Sequence, residues 1–325
     1  MGAAGQSLPE IHVVAAVLRD QRGVLIAERP PGKPMVGYWE FPGGKLEAGE
    51  PERQALQREL KEELGIEVRH AYRLLRLSHD YPERRVHLDV WRVTQYLGAP
   101  AAHEGQQLAW VAPEELKDWN LLPADEPIVA ALKLPPLMLV TPDPDVETGF
   151  LEGLQRSLRA GVDLVQLRAP GMEPERFDGL ALAVMGMCRE YGARVMLNTS
   201  VDMALKLRAS GLHLSQRQLR SVKPEDLDGS LLTGVSCHSA EEIHKALDYA
   251  PDYLCLGPVQ ASASHPGAEP LGWERYAELA ALSPVPVYAI GGLKPGDLAE
   301  ARLRGGHGIA AIRGLWNLSQ LPEGS

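Results

Sequence analysis

Apolar positions follow two different rules along this chain. In the first stretch, residues 11–18 and 24–27 are apolar runs separated by Arg-Asp-Gln-Arg-Gly, a pattern that predicts a β-hairpin. Val86, Leu88, Val90 and Trp91 mark a further strand, and residues 108–111 another. Helical spacing appears over 52–64, where Leu56, Leu60 and Leu64 recur at i, i+4 and i+8, and again near 127–132. This order predicts an α+β unit, a mixed sheet carrying a helix on one face. Beyond it Pro135-Pro136 cannot continue a helix and marks a boundary between domains at 1–133 and 137–320. The grammar then becomes regular. Short apolar runs at 137–141, 164–168, 195–198, 212–215, 231–236, 253–257, 286–292 and 308–314 alternate with longer helical segments. Eight such units predict a parallel sheet closed as an α/β (β/α)8 TIM barrel, and an open doubly wound sheet is the alternative.

The helix at 52–64 carries an unusual charge pattern. Pro51 suits a helix start and Gly65 the left-handed position just past its end. Glu59, Glu62 and Glu63 are i, i+3 and i+4 neighbours, so their carboxylates gather on one patch, where like charges repel. Hard divalent cations would reverse that repulsion, since Mg²⁺ takes oxygen ligands and binds substrate phosphates at the same time. A solvated Glu-rich helix is the plainer alternative. The spacing Gly44, Glu50, Arg58, Glu59, Leu60, Glu62, Glu63, Gly65, Ile66 favours the metal.

Composition narrows the partners. With 325 residues and a net charge of −10, the chain is expected to hold two domains and to avoid nucleic-acid polymers, whose phosphates demand a basic surface. Free nucleotides are compatible, because a bound metal supplies the local positive charge. No apolar run approaches the ~20 residues that span a bilayer. The N-terminus lacks a signal-type pattern, and the three cysteines show no CxxC spacing. A cytoplasmic protein with no membrane partner is expected.

The segment from Gly44 to Ile66 resembles a complete Nudix box, the signature of hydrolases that cleave nucleoside diphosphates linked to another group. The run Gly-Tyr-Trp-Glu-Phe-Pro-Gly-Gly-Lys ending at Lys45, together with Arg29, the 81–84 segment and the 122–127 segment, is similar to the MutT branch. That resemblance implies hydrolysis of 8-oxo-dGTP to the monophosphate and pyrophosphate, a nucleotide-pool sanitising activity that protects DNA replication. It implies that Gly43 (through its carbonyl), Glu59, Glu62 and Glu63 hold Mg²⁺, or Mn²⁺, with Glu59 as general base. Glu50 and Arg58 would fix the loop against the helix. Arg29 and Lys45 would contact phosphate, and Tyr81, Arg84 and Asp125 would line the nucleoside pocket. Two departures stand out. Ala109 replaces a further metal-binding glutamate, which Glu104 could supply only through a different loop path, and Asp125 replaces a base-reading asparagine.

The second half is similar to the thiamine-phosphate synthase and thiazole tautomerase family, through residues 165–168, Asn198, 211–216, 234–242, 253–259 and 289–293. The resemblance implies a phosphate site at Gly291, Gly292, Arg313 and Gly314, with Arg168, Asn198 and His238 at strand ends. These glycines also suit plain βα turns, and His238 suits a structural role as well as acid–base work. Thr199 and the Gln216-Arg217-Gln218 turn stand where the family places magnesium carboxylates. Pro170 and the Ser264-His265 region stand where it places pyrophosphate-binding lysines. Phosphate-ester binding without synthase turnover is the expectation, alongside two others: a bifunctional thiamine-pathway enzyme and a barrel that only binds.

Overall fold

The computed structural model describes residues 8–227, 229–261 and 269–321. The chain divides into two compact units, Met1–Lys133 and Leu134–Ser325. The Ser264-His265 region lies outside the described residues.

Among the described residues the first unit is a seven-stranded mixed sheet: β1 Glu10–Asp20, β2 Gly23–Glu28, β3 Trp39–Glu40, β4 Gly43–Lys45, β5 Glu67–Tyr81, β6 Arg84–Leu97 and β7 Leu108–Val111. The expected hairpin is β1 and β2, antiparallel, closing at Asp20↔Gly23. Strands β1 and β6 pair in parallel, and β4 lies antiparallel to β1. The sequence pattern missed β5. Register shifts after Val68, His70 and Arg73 break its period-2 alternation, which is the signal that pattern reading needs.

Helix α1, Glu52–Leu64, ends at Gly65 in the left-handed conformation (φ 68°), where a residue with a Cβ would be strained. Leu56, Leu60 and Leu64 are fully buried against Val14, Ala16, Leu18 and Val93 of the sheet. Fully burying a leucine contributes about 1.5–3 kcal/mol, so this stripe outweighs modest carboxylate repulsion on the helix's other face. Helix α2, Glu126–Lys133, buries Ile128 and Val129 against the opposite face of the sheet with Ala15, Val17, Val24 and Val90.

The second unit is a closed parallel barrel. Its strands are β8 Leu137–Val140, β9 Leu164–Leu167, β10 Arg194–Leu197, β11 Gly211–Leu214, β12 Leu232–Cys237, β13 Tyr253–Leu256, β14 Val287–Ile290 and β15 Gly308–Ala311. All eight predicted runs form strands. Pairing of β15 with β8 and of β8 with β9 closes the sheet and excludes the open alternative. Helices α3 Phe150–Arg159, α4 Pro174–Glu190, α5 Val201–Lys206, α6 Gln216–Leu219, α7 Ala240–Leu247, α8 Gly272–Ala280 and α9 Leu298–Leu303 follow successive strands. Strand alternation sends Met138, Met196, Tyr253, Cys255 and Tyr288 into the barrel interior, while Leu139, Val165, Leu197 and Leu254 pack against the helices. No described helix is long and apolar enough to cross a membrane.

Candidate functional site

Strand β4 lies between β1 and α1, and that position builds the site. A Cβ on Gly44 would meet the Glu59 carboxylate, so glycine leaves room for that group to lie against the loop. The neighbouring Gly43 N–H donates to Glu63 Oε2 at 3.1 Å. Arg58 straps the loop to the helix. Its guanidinium meets Glu50 at 2.8 and 3.0 Å, Glu59 at 2.8 Å and the Lys45 carbonyl at 3.0 Å. The bond from Arg58 holds Glu50 below the usual carboxylate range. Glu62 stands largely exposed, its nearest charge being Arg58 at 3.4 Å.

A cavity of about 440 Å³ opens beside this loop. Its acidic end is walled by Gly43, Gly44, Glu59, Glu63 and Glu104, and its other end by Tyr81, Arg84, Leu122 and Asp125. Register explains two of these positions: Tyr81 and Arg84 face each other across the β5–β6 turn, with the Arg84 guanidinium 5.3 Å from the Tyr81 ring centre. Arg29 and Lys45 also line the cavity, but the Arg29 guanidinium is already committed to Glu40 and to the Pro34 carbonyl at 2.7 Å. Glu62, Arg58 and Glu50 lie outside its wall.

Sequence reading gave no role to Lys33 or Glu40 and admitted Glu104 only on a different loop path. Glu104 lines the cavity. The Lys33 ammonium sits 2.9 Å from Glu104 and 3.7 Å from Glu63, inside the acidic end. Burial raises Glu63 to about 7, with Glu40 and Glu104 adding to the push and Lys33 and the Gly43 N–H opposing it. Burial likewise raises Glu59 despite Arg58. The carboxylates of Glu59, Glu63 and Glu104 line one cavity and offer oxygen donors, the donor chemistry that hard divalent cations take.

Asp125 closes the far end. It is buried, its Oδ2 accepts from the Phe41 N–H at 3.2 Å, and burial with a nearby Glu40 raises it to about 8. The shift favours the protonated carboxyl, which carries one donor and one acceptor edge.

In the barrel a cavity of about 870 Å³ opens at the C-terminal ends of β9, β10 and β11. Arg168, Asn198, Thr199, Arg217 and Gln218 line it, whereas His238, Gly291, Gly292, Arg313 and Gly314 do not. Position 218 is spent inside the protein. The Gln218 Oε1 accepts from Ser215 N at 2.9 Å and from Ser215 Oγ at 2.6 Å, and its Nε2 donates to the Thr199 carbonyl at 3.0 Å. With a hydroxyl at 199 and a satisfied amide at 218, these two positions do not fit a magnesium ion. Asn198 is likewise tied, donating to the His213 carbonyl at 3.0 Å. His213 is buried, lies 2.8 Å from Ser236 Oγ and 3.1 Å from the Tyr253 hydroxyl, and is lowered to about 3 by that burial, so it stays neutral. His238 is exposed, with Nδ1 at 2.8 Å from Glu242 in the first turn of α7. Gly291 has φ 103°, and a Cβ there would strike Pro258, so packing alone requires glycine.

Residues 13–131 match the family described as NUDIX domain, and residues 137–315 the family described as Thiamine monophosphate synthase. Over 121 residues the chain is 43% identical to the CTP pyrophosphohydrolase of Escherichia coli, covering 37% of this chain and 90% of that one. It is 36% identical over 177 residues to the thiamine-phosphate synthase of a Synechococcus species, covering 54% of this chain and 49% of the relative, so it spans about half that relative's length. The Clostridium perfringens thiamine-phosphate synthase is 32% identical over 177 residues, 54% of this chain and 86% of that one.

Proposed function

The chain belongs to the Nudix family by its first unit and to the thiamine monophosphate synthase family by its second, and from that premise we propose that it is a metal-dependent nucleoside triphosphate pyrophosphohydrolase carrying a phosphate-binding barrel without synthase turnover. One observation carries the hydrolase reading: a single cavity joins an oxygen-only acidic end to a pocket closed by the neutral acid of Asp125. Glu59, Glu63, Glu104 and the Gly43 carbonyl would hold Mg²⁺ or Mn²⁺, with Glu62 on the rim. Such a cation lowers the pKa of a water and offsets charge developing on the bridging oxygen. Glu59 is the candidate general base, held against the loop by Gly44 and oriented by Arg58. Arg58 and Glu50 position it and do not touch substrate. Lys33 would turn from the carboxylates towards the polyphosphate, and Lys45 lines the same cavity.

Base choice rests on the far end. A protonated Asp125 can donate to guanine O6 and accept from N1–H, the pairing that supports 8-oxo-dGTP as substrate, with release of pyrophosphate. The same two edges also match cytosine N3 and N4–H₂. The name of the Escherichia coli relative favours this second reading, CTP. The discriminating experiment compares kcat/KM for 8-oxo-dGTP, dGTP, CTP, ADP-ribose and thiamine diphosphate. Highest efficiency on 8-oxo-dGTP supports the sanitising role and highest on CTP supports the second. Preference for thiamine diphosphate would replace both with a thiamine-pathway enzyme.

For the barrel, the cavity lined by Arg168 and Arg217 supports binding of a phosphate ester, and the satisfied Gln218 supports the loss of metal-dependent synthase chemistry.

A further inference from the structure

The first strand of the chain opens with Glu10 and His12, two residues apart and therefore on one face of β1. The parallel register sets His12 directly beside His87 of β6. Neighbouring Ile11, Val13, Val86 and Leu88 line the nucleotide cavity, so Glu10, His12 and His87 project from the opposite face of the sheet. Their imidazole nitrogens and carboxylate oxygen all lie within 4.8 Å of one another.

Four details go beyond proximity. Ser78 Oγ sits 2.8 Å from His87 Nδ1 and holds one ring nitrogen, the arrangement that orients metal-ligating histidines. The other nitrogen, His87 Nε2, is buried without a hydrogen-bond partner and faces Glu10 Oε2 at 3.4 Å. That spacing is close to the edge of a tetrahedron with Zn–N and Zn–O bonds of ~2.0–2.2 Å, which is about 3.4 Å. The nearby guanidinium that would compete for Glu10 is spent elsewhere, since Arg85 is bound to Asp80 at 2.6 Å. His12 is stacked on His87 with ring centres 4.7 Å apart, bringing a second nitrogen donor to the same spot.

We propose that Glu10, His12 and His87 form a second metal site that takes a borderline transition cation such as Zn²⁺, separate from the oxygen-only cluster of the nucleotide cavity. Two imidazoles and one carboxylate select Zn²⁺, Co²⁺ or Ni²⁺ over Mg²⁺. Occupancy would clamp β1 to β6.

The test is Zn²⁺ titration of the full-length protein by calorimetry, in wild type and in Glu10→Gln, His12→Gln and His87→Ala. Glu10 and His12 are exposed, so those two variants keep the fold even where His87→Ala does not. Wild type should bind one Zn²⁺ equivalent more than His12→Gln, and Glu10→Gln should weaken that equivalent by about 10-fold or more. Added Zn²⁺ should raise the Tm of wild type and not of His12→Gln, while Mg²⁺-supported hydrolysis stays unchanged in both. Identical Zn²⁺ stoichiometry and affinity in wild type, Glu10→Gln and His12→Gln would overturn the site. So would loss of the equivalent only on changing Glu59 or Glu63.

Discussion

Replacing Asp125 by Asn tests the protonation argument directly. In the unfolded chain this carboxyl loses its proton near pH 4, whereas in the buried pocket it does so at about 8. Between those values the folded state binds a proton that the unfolded state lacks, so stability falls as pH rises through the window. It is fully present below about pH 4 and lost by about pH 8. Each pH unit is worth about 1.4 kcal/mol, which makes roughly 3 kcal/mol between pH 5.5 and 8. Asparagine has no proton to lose, and its side-chain oxygen can still accept from the Phe41 N–H. Calorimetric melts of the full chain should therefore show wild type losing on the order of 10 °C relative to Asp125→Asn across that range. A kinetic arm uses the same variant. At pH 6.5 both side chains offer one donor and one acceptor, so the 8-oxo-dGTP to CTP ratio should agree within a few-fold. At pH 9 wild type loses its donor and should lose about 1–3 kcal/mol of selectivity that the variant keeps. Parallel melting curves from pH 5.5 to 8 would refute the neutral acid. An equal activity loss on every nucleotide would remove Asp125 from the base pocket.

Three further outcomes follow from the two cavities. Glu59→Gln should lower kcat by at least ~10² in Mg²⁺ assays, and near wild-type turnover would take the general-base role away from it. Glu104→Gln should raise the Mg²⁺ concentration for half-maximal activity by on the order of 10-fold, because it removes a negative charge from the acidic end; an unchanged metal dependence would leave Glu104 as a partner of Lys33 alone. A strain lacking thiamine-phosphate synthase should not grow without thiamine when supplied with this chain, because positions 199 and 218 lack the carboxylates that help ionise a pyrimidine diphosphate; barrel-dependent growth would reverse that reading.

Local periodicity was legible without coordinates. Leucines at 56, 60 and 64 announced a helix packed on a sheet, Gly65 announced its end, and eight apolar runs announced eight strands, because each signal is carried by residues within one turn or one pleat of each other. The Arg58–Glu50 strap was legible too, since a long motif preserves a short spatial relation. Strand β5 was hidden because its bulges erase alternation. Barrel closure, expected from the count of eight units with an open sheet as the alternative, rests on β8 meeting β15, a pairing between strands distant in sequence. Only tertiary structure decided that Lys33 and Glu104 enter the acidic end, that Glu62 stands outside it, and that burial pushes the Asp125 carboxyl far above its ordinary range. The reason is common to all three. Sequence encodes which groups can ionise, but their burial and their neighbours are set by segments that meet only on folding, and desolvation then decides their charge.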